Sequence, residues 1–97
     1  MTEEQNLNKL KQCDPDYRVR FWYGFDNHIW NGQVDVRRTC NCLIKVNGEL
    51  FFGQSMCHPN DYFVKKTARD IALGKAVQNF FNSIPYTLPV PTHIKMD

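Results

Sequence analysis

The sequence predicts an α+β domain: a short N-terminal helix, a three-stranded antiparallel meander packed against one long C-terminal helix, and an extended Pro-rich tail. Three observations carry that expectation. Residues 17–25 alternate with period two, two Asn-Gly pairs punctuate runs of strand-forming residues, and the stretch from 60 to 82 carries apolar residues at helical spacing. Ninety-seven residues make one domain. It divides into a helix and turn (1–16), a sheet (17–57) and a helix (60–82), all within 1–84, followed by the tail (85–97).

The first helix starts at Thr2, whose side chain forms a capping box with Gln5, and Leu7 and Leu10 lie three apart on one face. Cys13-Asp14-Pro15-Asp16 stops it, because the residue before a proline avoids helical backbone. In the first strand Tyr17, Val19, Phe21, Tyr23 and Phe25 share one face, and Arg18, Arg20 and Trp22 the other. The stretch from Gly24 to Trp30 is less regular and is expected to carry a bulge or loop, with His28 in it. Asn31-Gly32 and Asn47-Gly48 both tolerate the positive φ of a two-residue hairpin. Val34, Val36, Cys40, Cys42, Ile44 and Val46 mark the second strand between them. Arg37 and Arg38 are neighbours, so one points to each face unless a bulge intervenes. Leu50 to Cys57 is the third strand, with a bend expected at Gly53. Asn60 or Asp61 is a suitable N-cap for a helix running to about Phe81. Ala68, Ile71, Ala72, Leu73, Ala76, Val77 and Phe80 form its apolar side, and Gly74 is read as a close-packing point. Pro85, Pro89 and Pro91 exclude helix beyond that point.

A hydrophobic fraction of 42% with 13% aromatics is ample for a packed core and argues against disorder. The formal charge of +2 is too small for a general nucleic-acid coat, so any electrostatic role must come from local clustering. No apolar run reaches the roughly 18 residues of a membrane span, and the acidic start Met1-Thr2-Glu3-Glu4-Gln5 lacks a signal-peptide pattern. A cytoplasmic location follows as the expectation. There Cys13, Cys40, Cys42 and Cys57 are free, buried thiols rather than disulfides.

Lys65, Lys66 and Arg69 form the most informative cluster. Cations near a helix N-terminus oppose the helix dipole, and a local rule broken without visible compensation points to function. Arg18, Arg20 and one of Arg37 or Arg38 extend the patch across the sheet, and Asp61 and Asp70 could partly neutralise it. Trp22, Trp30, Phe51, Tyr62 and Phe63 are binding anchors if their face of the sheet is uncovered. Cys40-x-Cys42 with Cys57-His58 does not match the usual zinc knuckle, so no metal or other cofactor is expected. Cys57 and His58 diverge on a strand, and no Walker loop or dinucleotide fingerprint is present, which points to binding rather than catalysis.

The stretch from Cys57-His58-Pro59-Asn60-Asp61-Tyr62-Phe63-Val64-Lys65-Lys66 through Ala72-Leu73-Gly74-Lys75-Ala76-Val77, after two Asn-Gly hairpins, resembles small proteins of tailed bacteriophages over roughly residues 17–81. That resemblance implies a host-cell accessory protein that inhibits host or defence complexes by stoichiometric binding, as anti-CRISPR proteins do. The helix–three strands–helix order also resembles the double-stranded-RNA-binding domain. Lys65-Lys66-Thr67-Ala68-Arg69 is similar to that family's basic helix start, which implies a grip on duplex phosphates. Gly24 and His28 echo its Gly-Pro-x-x-His loop without the proline.

Overall fold

The computed structural model describes residues 2–57 and 62–96. Its elements run α1 (Glu3–Cys13), β1 (Arg18–Trp30), β2 (Gln33–Val46), β3 (Glu49–Met56) and α2 (Lys65–Phe81), the α+β order that the sequence predicts. The strands form one antiparallel sheet in the order β1-β2-β3. Both hairpins close on turns whose two central residues have positive φ: Asn31 and Gly32 at 50° and 76°, Asn47 and Gly48 at 52° and 82°. That conformation matches the right-handed twist of the flanking strands.

The capping box at Thr2 and Gln5 forms in both directions. The residues α1 buries are Asn6 and Leu10, one turn apart, while Leu7 is only half-buried. β1 differs from expectation too. It pairs with β2 without a bulge from Arg18 opposite Lys45 to Trp30 opposite Gln33, so Gly24 and His28 lie in a strand and not in a loop. The two-residue turn fixes the register, and the polar run Asp26-Asn27-His28 is carried into the ladder although it breaks the apolar alternation. With no bulge in β2, Arg37 and Arg38 point to opposite faces.

One face of the sheet packs against α2. Cys40, Cys42, Ile44, Val46 and Phe51 meet Ala68, Ala72, Leu73, Ala76 and Val77, and Phe80 stands edge-on to Phe51 with ring centroids 5.2 Å apart. Ile71, expected on this side, is exposed. The tightest approach of helix to sheet is at Gly53, while Gly74 lies in ordinary contact with Asn6 of α1. A Cβ at Gly53 would stand 2.1 Å from the Ala72 carbonyl oxygen and 2.4 Å from the Ala76 nitrogen, whereas one at Gly74 would meet only Asn6 Nδ2 at 3.7 Å. A glycine opposite an alanine stripe lets the helix backbone rest directly on the strand.

α2 begins at Lys65, later than the expected 60, on Val64 as an N-cap with no side-chain hydrogen bond. Phe63 packs edge-on against Tyr23 at 5.9 Å, and Val64 after it has extended backbone at φ −107° and ψ 110°. Asn60 and Asp61 lie outside the described residues. The helix ends in a Schellman turn: Ser83 N–H donates to the Phe80 carbonyl, Ile84 N–H to that of Asn79, and Ser83 has φ 56°.

The tail then crosses the other face of the sheet. Tyr86 N–H donates to the Leu50 carbonyl at 2.7 Å, its ring lies 5.3 Å from that of Phe52, and His93 stands edge-on to Trp22 at 6.3 Å. Leu43, which points away from α2, is nonetheless fully buried, and Met96 is buried as well. The body of the sheet is therefore covered on both sides. β3 ends opposite Thr39, so the outer halves of β1 and β2 continue alone as a two-stranded arm ~20 Å long.

Candidate protein-binding surface

The cationic residues singled out by sequence do not form one patch. Arg69 is claimed internally: its Nη2 lies 2.6 Å from Glu3 Oε1 in α1, and its guanidinium stacks 4.3 Å over the Phe21 ring. The neutralising acid is thus Glu3 rather than Asp70, whose carboxylate instead accepts the Glu3 N–H at 2.7 Å. Asp61 is not among the described residues. Lys65 sits with Nζ 5.0 Å above the Tyr23 ring, and Lys66 is exposed.

Arg18, Arg20 and Arg37 lie on the face turned away from α2, so they cannot extend a patch that starts at Lys65 and Lys66. Arg18 and Arg20 fold back along β1: Arg18 Nη1 donates to the Asp16 and Tyr17 carbonyls, and Arg20 Nη1 to the Val19 carbonyl at 2.8 Å. Arg37 stands opposite Asp26, and its Nε is buried without a hydrogen-bond partner among the described residues. Arg38 is on the α2 side, stacked 4.3 Å over Phe63 and 6.0 Å from Phe25. Trp22 is no free anchor, because Phe52 and His93 pack against it. Phe51 is buried and Phe63 half-buried.

What the structure leaves open is a different surface. Phe25, Ile29, Val34 and Val36 are 70%, 71%, 62% and 58% exposed. The register places Phe25 beside Arg38, Asn27 beside Val36 and Ile29 beside Val34, so all four apolar side chains share the α2-side face of the arm. α2 and β3 stop short of them, and Tyr62 and Val64 add exposed apolar area at the base of the arm. Arg38 and Lys65, each held against an aromatic ring, put two cations at that base. Such cation–π contacts contribute about 0.5–1 kcal/mol each and restrict the side chains before any partner arrives.

Cys40 and Cys42 point into the core, where burial pushes both thiols up, Cys42 the further. Cys13, expected buried, is exposed. Cys57 donates its N–H to the Arg38 carbonyl at 2.9 Å, and His58 lies outside the described residues. Among the described residues no three His, Cys, Asp or Glu side chains group as metal ligands, and no helix is long and apolar enough to cross a membrane.

Comparisons with protein-family models, curated proteins and solved structures each returned no match. The geometry alone therefore supports a functional reading. Sequence inspection missed the arm because Asp26, Asn27 and His28 read as a loop. The legible signal was Asn31-Gly32 flanked by Ile29 and Val34, which sets two apolar residues opposite each other on one face.

Proposed function

We propose that this chain acts by binding a protein partner, laying the apolar face of its β1–β2 arm against it. The observation that carries the reading is the alignment of Phe25, Ile29, Val34 and Val36 on one exposed face that no other described element covers. An isolated exposed apolar residue is ordinary, whereas an aligned set at the end of a projecting element is a contact surface. Arg38 and Lys65 at its base favour a partner with an acidic rim beside an apolar patch. The phage resemblance supplies the biological form of the proposal: a stoichiometric inhibitor or modulator of a host or defence complex, acting in the bacterial cytoplasm. Duplex binding is the weaker reading, since Arg69 is paired to Glu3 and the other arginines are scattered over two faces.

The test compares wild type with a Val34→Lys, Val36→Lys double variant whose circular dichroism is unchanged. A partner purified on immobilised wild type from bacterial lysate should bind it directly at fixed stoichiometry and be lost from the variant. Binding that survives the double variant, or salt-sensitive retention of duplex nucleic acid abolished by Lys65→Glu, Lys66→Glu, would overturn the proposal.

A further inference from the structure

The two edges of the sheet are finished differently. In a hairpin closed by a two-residue turn, the flanking pair exchanges hydrogen bonds and alternate pairs follow suit. The even-numbered residues of β3 therefore turn their carbonyls outward, and three are taken: Leu50 by Tyr86 N–H, Phe52 by Asn79 Nδ2 at 2.7 Å and Gln54 by Lys75 Nζ at 2.9 Å. On β1 the outward groups belong to the odd residues. Arginines hold the carbonyls of Tyr17 and Val19, whereas those of Phe21, Tyr23, Phe25, Asn27 and Ile29 accept no hydrogen bond among the described residues. That open stretch carries no proline, no lysine and no bulge, the features that usually block strand addition.

We infer that the open outer edge of β1 pairs antiparallel with the same edge of a second copy of this chain, about a two-fold axis through Phe25, giving a six-stranded sheet. The register follows from the residues. With the axis at Phe25, Phe21 faces the second copy's Ile29, Tyr23 faces its Asn27 and Phe25 faces its counterpart, so every open group is used. On the other face Trp22 meets His28 and Gly24 meets Asp26, and no like charges stand opposite each other. Moving the axis to Asp26 would oppose two carboxylates, and moving it to Gly24 would set Ile29 against Val19, whose carbonyl Arg20 already holds. A groove lined by Leu7, Val19, Phe21 and Arg69 runs beside the inner end of this edge, where the second copy's Ile29 arrives. Exposed Phe25 is buried at the axis.

The inference concerns the outer edge of β1 and the proposed function the face of the arm; Phe25 and Ile29 belong to both, so Asn27→Pro, which keeps the apolar face, and Val36→Lys, which keeps the edge, tell the two apart. Sedimentation velocity of the full chain from micromolar to several hundred micromolar should show a monomer–dimer equilibrium. Asn27→Pro removes an outward N–H while sparing the β1–β2 ladder, and should weaken the dimer about tenfold or more. Phe25→Lys sets two ammonium groups on the axis and should abolish it. Val36→Lys alters the face alone and should leave the dimer intact. In wild type, the amides of Phe21, Tyr23, Phe25, Asn27 and Ile29 should gain exchange protection with concentration, a reading that needs no variant to fold. A chain that stays monomeric throughout, or a dimer that forms with those amides unprotected, overturns the inference.

Discussion

Replacing Gly53 by alanine tests whether the helix truly rests on the strand. The added Cβ would stand 2.1 Å from the Ala72 oxygen and 2.4 Å from the Ala76 nitrogen, against an ordinary contact of about 3.5 Å. Both are backbone atoms in the middle of a helix, so no side chain can swing aside. α2 must lift by more than ~1 Å, loosening the layer formed by Ala68, Ala72, Leu73, Ala76 and Val77. Overpacking of this kind costs about 1–3 kcal/mol where the neighbours can adjust, and a rigid helix puts the cost at or above ~3 kcal/mol. For a domain of this size that lowers Tm by about 12–24 °C. Gly74→Ala is the control. Its Cβ would meet only a side-chain amide at ordinary distance, so the gain in helix propensity should raise stability by about 0.5–1 kcal/mol. Thermal and urea unfolding of both variants measures the contrast. A Gly53→Ala variant as stable as wild type, or a Gly74→Ala variant that loses stability, refutes the packing argument.

Three further outcomes follow from single contacts. Ser83 holds a left-handed backbone at φ 56° to complete the Schellman turn, so Ser83→Gly should raise stability by about 1 kcal/mol in urea unfolding. Asn6 is buried with neither amide atom hydrogen-bonded among the described residues, so Asn6→Leu should be neutral to stabilising by about 1–3 kcal/mol, whereas a satisfied amide would make it destabilising. The Asn47 and Asp16 N–H groups, donating to Asp14 at 2.9 Å, hold its carboxyl below the usual carboxylate value. Its contribution is therefore complete above about pH 3.9 and fades as pH falls through the lower folded value, so the Tm gap between wild type and Asp14→Ala should close only in strong acid.

The local chemistry of this chain was legible in its residues. The Asn-Gly turns, the Thr2–Gln5 capping box and the alternation of Tyr17 to Phe25 each specify a conformation within a few residues, and each forms as expected. The misreadings come from contacts between distant residues. Glu3 and Arg69 are 66 positions apart, so no spacing rule couples them, and the cluster that looked uncompensated is paired through tertiary structure. Gly53 looked like a bend and Gly74 like a packing point, because which glycine faces a neighbour depends on the register and on where α2 crosses. The coverage of Trp22 by His93 depends on a tail whose prolines exclude helix but do not say where it goes. The arm was hidden for the opposite reason: its polar residues suggested a loop, while the turn beyond them dictated a strand.

The sealing of β3 by Tyr86, Asn79 and Lys75 has a consequence for what the molecule can build. Pairing β1 with a twin consumes the long open edge of the sheet, and what stays open is the short stretch of β2 in the arm that β3 does not reach. A chain that hides its longest bare strand in such a pair offers further copies only a few residues of edge, which limits growth toward fibres.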